Sequence, residues 1–209
     1  MPRKSPISFD PEHPPTWSVS HWLNTSTPVR LDDLRGRVVV LVFFQTHCNG
    51  SRQHVLPQAE RLSKAYNDDQ VVVVGLNAPF ENKASQQPEA VKTFVRANKL
   101  HFAVGIDAIK PSGLPHTMDA YQVQGTPALL IFDRHGRLRR HYLGGVDDIR
   151  LSAEIMAFVL EDTDASRGAA MQSEHNLAEA LIEPDGHGTI DRQNNDPVMR
   201  LPWHLPKMN

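Results

Sequence analysis

Cysteine is what this chain lacks most: Cys48 is the single one in 209 residues. No internal disulfide can form, and nothing here calls for an oxidising compartment. An excess of either charge is missing too, since 22 Lys and Arg against 24 Asp and Glu leave a net charge of -2. That balance excludes a basic footprint for nucleic acid and a charged patch for a membrane surface. No apolar run approaches the ~20 residues that span a bilayer. The opening "MPRKSPISFDPEHPP" has basic residues but no apolar stretch behind them, so no secretory signal is read. The 11 histidines are scattered, and "EPDGHG" with His175 lacks ligand spacing, so neither metal nor cofactor is expected. The expectation is a soluble, cytoplasmic protein.

What is present fits one ordinary domain with additions. Residues 1–16 hold five prolines and little periodicity, which reads as an N-terminal arm, loose or draped on the surface. "VRLDDLRGR" is a short element closed by a glycine turn. "VVVLVFF" (38–44) and "VVVVGLN" (71–77) are unbroken β-branched runs, the pattern of strands covered on both faces. Between them Val55, Leu56, Ala59, Leu62 and Tyr66 recur at helical spacing, with a kink expected at Pro57. A helix starts near Pro88 and turns Val91, Phe94 and Val95 to one side. "HFAVGID" (101–107) is a short strand.

"TPALLIFD" and "RLRRHYLGG", joined by "DRHG", form an antiparallel hairpin that is expected at the sheet edge. A last helix follows, capped by Asp147 or Asp148, with Leu151, Ile155 and Phe158 inward. The fold class is therefore α/β. Its parallel centre has a right-handed crossover, and the domain spans residues 17–161. Residues 162–209 are a polar extension with a weak helical patch around Met171 to Ile182, suited to lying on the domain or on a neighbouring subunit.

The chemistry concentrates in "VVVLVFFQTHCNGSRQHVLPQ". Cys48 falls between the end of a buried strand and the start of a helix. Unpaired amides and the helix dipole there favour thiolate over thiol, lowering a cysteine pKa to roughly 3.5 to 7.5 from roughly 8.5 when free. Arg52 would add positive charge on the same helix face, and His47 is adjacent in sequence. An inert buried cysteine is the commoner situation, but "THCNGS" is polar on both sides of the sulfur. His54 reads as a packing or surface residue. Proline directly before a buried strand, as in "QGTPALLIFD", is unusual, because proline cannot donate to a ladder. A cis Thr126–Pro127 bond would expose the Thr126 backbone to whatever docks beside Cys48, although a trans proline opening a strand is the commoner case.

Together these two segments resemble the thioredoxin superfamily, and within it the redoxins of the TlpA and alkyl-hydroperoxide-reductase types. The likeness covers roughly residues 17–160. It implies a thioredoxin-like mixed sheet flanked by helices, with a redoxin-type insertion between Asn77 and Gln124. It also implies redoxin-type antioxidant or thiol-disulfide activity. The site it implies has Cys48 at the first-cysteine position, Ser51 where dithiol members carry the second cysteine, and Thr126 and Pro127 as the cis-proline loop. Peroxiredoxins carry Pro-x-x-x-Thr-x-x-Cys, and the matching positions here are Leu41 and Gln45, with Thr46 one place off.

Three functions follow from that resemblance. The first is a monothiol oxidoreductase in which Cys48 forms a mixed disulfide with a protein or small-molecule partner. An external thiol such as glutathione then releases it. The second is a one-cysteine peroxidase, and the third is a binding module without turnover. An oligomer built through the C-terminal extension is a further expectation.

Overall fold

The computed structural model describes residues 9–81 and 86–161, all within one structural unit. A second unit, Ala170–Asn209, lies outside them. So do residues 1–8 of the arm, the extension from 162 onward, the Met171–Ile182 patch and the "EPDGHG" segment.

Six strands form one mixed sheet in the order β1-β4-β3-β2-β5-β6. Its centre comprises β2 (Val38–Phe44), β3 (Val71–Asn77) and β5 (Ala128–Phe132). β2 runs parallel to β3 with Val38 opposite Val71 and Phe44 opposite Asn77, and antiparallel to β5 with Leu41 opposite Leu130. All seven residues of β2 are buried. Val38, Val40, Val42 and Phe44 join one core layer, while Val39, Leu41 and Phe43 join the other. That two-faced burial is why the run does not alternate, at about 1.5–3 kcal/mol for each large apolar side chain removed from water.

β4 (Ala103–Asp107) extends the parallel set from β3. The structure adds two short elements that the sequence pattern did not announce. β1 (Val19–Leu23) lies antiparallel on β4, and α3 (His116–Ala120) is a single short helix. Asp107 receives the backbone N–H groups of Thr117 and Met118 at 2.9 and 2.8 Å, which anchors α3 to the sheet.

The hairpin forms as expected, but only β6 (Leu138–Leu143) is an edge strand. β5 is interior, because its five consecutive buried residues are covered on both faces and paired on both sides.

α1 (Leu56–Ala65) puts Leu56, Ala59 and Leu62 into the core, and α2 (Pro88–Ala97) does the same with Val91 and Val95. The expected irregularity at Pro57 takes the form of a wide π-type turn over Ser51–Val55, directly before α1. Pro57 has no N–H to give to the carbonyl four residues back, so the ladder changes register there. α4 occupies 148–161 within the described residues. Asp147 caps it, its Oδ1 accepting the N–H groups of Ile149 and Arg150 at 3.0 and 3.1 Å. Asp148 turns away from the helix end and ties α4 to α1 through Gln58 and Arg61. The arm residues that are described also touch the sheet layer. Phe9 meets Tyr121 edge-on at 5.2 Å, and the Pro11 carbonyl accepts the Leu138 N–H.

Candidate active site

The C-terminal end of β2 delivers Gln45, Thr46 and His47 to the rim of the sheet, and Cys48 follows at the start of the helical segment. The turn is held by the Cys48 N–H, which donates to the Gln45 carbonyl at 3.2 Å, and by the Arg52 N–H, which donates to the Cys48 carbonyl at 3.0 Å. Cys48 itself is partly exposed.

Opposite it stands the loop before β5, where the Thr126–Pro127 peptide is cis. The Cys48 thiol donates to the Thr126 carbonyl at 3.3 Å, and the Ser51 N–H donates to the sulfur at 3.4 Å. The structure therefore brings Cys48, Ser51, Thr126 and Pro127 together.

Gly50 makes the close approach possible. A Cβ there would lie 3.1 Å from the Pro127 ring and 3.9 Å from the Cys48 sulfur.

Partial burial pushes the Cys48 thiol up, yet the balance lies below its ordinary value. The polar groups around the sulfur, the Ser51 side chain and N–H, the Thr126 side chain and the Gly50 N–H, together outweigh the burial. Ser51 is wholly buried, and its hydroxyl has no hydrogen-bond partner among the described residues. The amides at the helix start thus act as expected for a helix N-terminus. Arg52 does not. It is exposed, and no charged group contributes to the lowering. His54 is likewise exposed.

Around Thr46 and His47, the two residues before Cys48, lies a polar cluster that sequence reasoning did not find. Gln86 Nε2 donates to Thr46 Oγ1 at 3.1 Å and lies 2.9 Å from His47 Nε2, while Asn77 Nδ2 donates to Gln86 Oε1 at 2.7 Å. Asn77, Thr46 and Gln86 are buried. The available signal was two polar residues, Gln45 and Asn77, placed right at the ends of buried strands, where polar side chains must find partners. Leu41 packs in the core of β2 and Gln45 stands three residues before the sulfur, so neither peroxide-binding position holds its usual residue.

Among the described residues no group of three or more His, Cys, Asp or Glu could hold a metal ion. No described helix is long and apolar enough to cross a membrane.

Comparison with known proteins follows the same outline. Residues 14–141 match the model of the AhpC/TSA family. The thiol-disulfide oxidoreductase ResA of Halalkalibacterium halodurans is 28% identical over 121 residues, covering 57% of this chain and 61% of that protein. The chloroplastic protein SUPPRESSOR OF QUENCHING 1 of Arabidopsis thaliana is 43% identical over 195 residues, covering 88% of this chain but 17% of that one. The chain thus spans less than two thirds of the length of either curated relative. A crystal structure of a thioredoxin-like superfamily protein superposes with a TM-score of 0.68 at 38% identity, covering 69% of this chain and 94% of that one. A thiol-disulfide isomerase from Corynebacterium glutamicum gives 0.66 at 35% identity, covering 68% and 93%.

Proposed function

The chain belongs to the AhpC/TSA family of thioredoxin-like fold, and on that premise we propose that it is a thiol-disulfide oxidoreductase working through Cys48 alone. The observation that carries this reading is the sulfur's setting. Cys48 Sγ is partly exposed, receives the Ser51 N–H at 3.4 Å and faces the Thr126 carbonyl at 3.3 Å across the Pro127 loop. Lowered basicity of the sulfur, with no second cysteine anywhere in the chain, fits monothiol chemistry.

The step is an exchange. The Cys48 thiolate attacks one sulfur of a substrate disulfide, forms a mixed disulfide, and expels the other sulfur as a thiolate. In a dithiol protein the second cysteine then attacks from within, quickly because it is already in place. Ser51 occupies that place here, and its hydroxyl is no nucleophile at neutral pH. An external thiol such as glutathione therefore completes the cycle, its sulfur joining the substrate sulfur and returning Cys48 as thiolate. Protein or small-molecule disulfides are the substrate class. Peroxide reduction is the weaker reading, because Gln45 stands where the peroxide-orienting threonine would be, and Thr46, one place off, accepts from Gln86 at 3.1 Å.

The experiment is disulfide trapping. Wild-type protein incubated with a disulfide substrate should accumulate a covalent adduct at Cys48 until glutathione is added. Rapid sulfenic acid formation with peroxide and no trapped disulfide would instead favour the peroxidase. Failure of Cys48 to form any adduct would leave a binding module.

A further inference from the structure

We propose that Gln86 is a positioning residue for the turn that carries Cys48. It donates to His47 Nε2 and fixes that ring in its Nδ1–H form. It thereby occupies the one lone pair with which the neighbouring imidazole could take the thiol's proton. The inference rests on the reading of Cys48 as the reacting thiol, and it places the preceding residue outside the proton transfer.

The Gln86 side-chain amide carries two hydrogens, and both are committed. One goes to Thr46 Oγ1 at 3.1 Å and the other to His47 Nε2 at 2.9 Å. A ring nitrogen that faces an N–H donor presents its lone pair, so the single proton of the neutral ring sits on Nδ1. Nδ1 lies 3.2 Å from Thr46 Oγ1, whose two lone pairs can take the ring proton and the amide proton together. The three side chains thus close a circuit of mutually consistent bonds. The sulfur is bonded elsewhere, to the Ser51 N–H at 3.4 Å and the Thr126 carbonyl at 3.3 Å. No histidine is among the groups that lower the Cys48 thiol.

Which end of the Gln86 amide faces His47 is set by the sheet. Asn77 closes β3, and its Nδ2 donates to Gln86 Oε1 at 2.7 Å and to the Phe44 carbonyl at 3.4 Å. That carbonyl is a fixed acceptor, already receiving the Ala78 N–H at 2.9 Å. Turning Asn77 over would set its oxygen against the Phe44 carbonyl. It would also replace one unpartnered oxygen, Asn77 Oδ1, by a buried NH2 group with two hydrogens to satisfy. Asn77 is fully buried and Gln86 is 2% exposed, so water offers little in exchange for these bonds. His47 is exposed, yet both of its ring nitrogens meet buried neighbours.

The test is a long-range 1H–15N spectrum of the histidine rings of the full chain. It is recorded at about pH 9, where imidazole, with its usual value of roughly 6.5, is neutral. The His47 signals are those absent from His47→Phe. Wild type should show the proton on Nδ1. Gln86→Glu replaces the donor by a carboxylate that only accepts, so the ring proton should move to Nε2. A wild-type proton on Nε2, or a proton still on Nδ1 in Gln86→Glu, would overturn the proposal. If Gln86→Glu does not fold, the wild-type spectrum decides alone. The second readout is iodoacetamide labelling against pH in wild type and His47→Phe. The two midpoints should coincide, because the ring gives the thiolate no support. A midpoint raised in His47→Phe would reveal a Cys–His pair and overturn the proposal as well. The ring spectrum needs no reaction at Cys48, so its outcome is separate from that of disulfide trapping.

Discussion

Replacing Gly50 by alanine sets two effects of known sign against each other. Gly50 has φ -59° and ψ -40°, a helical conformation that any residue adopts. On backbone grounds alone alanine should stabilise by about 0.5–1 kcal/mol, the usual advantage over glycine within a helix. The new Cβ, however, would sit 3.1 Å from Pro127 Cδ and 3.5 Å from its Cγ. The ring cannot retreat easily. The Pro127 carbonyl receives the Gly144 N–H at 2.8 Å, and the next residue, Ala128, pairs with Phe43 in the sheet centre. Overpacking of this kind costs about 1–3 kcal/mol, so the net change should be a loss of up to about 2.5 kcal/mol. The movement that relieves the clash separates the helix start from the Pro127 loop and lengthens the 3.3 Å contact between the sulfur and the Thr126 carbonyl. Urea unfolding reads the first consequence, and iodoacetamide labelling against pH reads the second, as a midpoint shifted downward, because a bond donated by the thiol favours its neutral form and weakening it favours the thiolate. A variant more stable than wild type with an unchanged labelling profile would show that the two loops are not pressed together as described.

Gly105→Ala should destabilise by about 1–3 kcal/mol through overpacking, since its Cβ would meet Val19 Cγ1 at 2.9 Å, Leu76 Cδ1 at 3.1 Å and Trp22 Cζ3 at 3.2 Å. A urea midpoint equal to wild type would contradict the packing of β1 on β4. Burial pushes the Asp133 carboxyl up, but N–H groups of Arg139 and Arg137 hold it below the usual carboxylate range. Its contribution to stability is therefore complete above the unfolded value of roughly 3.9 and disappears as pH falls through the lower folded value. The stability gap between wild type and Asp133→Asn should be widest near neutrality and close below about pH 4; a gap independent of pH would refute the linkage. Ser51→Cys should form an internal disulfide in mild oxidant and reduce insulin faster than wild type. If no bond forms, residue 51 does not stand at the resolving position.

The parts of the fold that could be read directly were those whose residues all share one environment. Both faces of β2 and β3 are covered, so their β-branched runs begin and end where the strands do. β5 has the same character, yet attention to its hairpin suggested an edge. Five apolar residues in a row, Ala128 to Phe132, were the better guide to its interior place. β1 escaped because "VSHWL" is short and carries Ser20 and His21 outward, with its partner strand more than eighty residues away. α3 escaped because five residues carry too little periodicity.

At the site, the positions of Cys48 and of the Thr126–Pro127 loop followed from local pattern: a strand feeding a helix, and a proline before a buried strand. The polar partners did not. Gln86 meets Thr46 and His47 across some forty residues, and Thr126 meets Gln45 across 81. Such pairings are made by the sheet, not by spacing along the chain. Arg52 shows the opposite error, since a helix-face argument gave it a role that its exposed side chain does not take up.

The central claim is that Cys48 reacts alone and waits for an outside thiol. It is tested most directly by the intact mass of the wild-type protein after exposure to oxidised glutathione, followed over time with and without reduced glutathione. The account predicts a single glutathione adduct at Cys48 that persists when free thiol is removed and disappears on addition of reduced glutathione. Absence of the adduct at neutral pH, or its spontaneous loss without any added thiol, would contradict it.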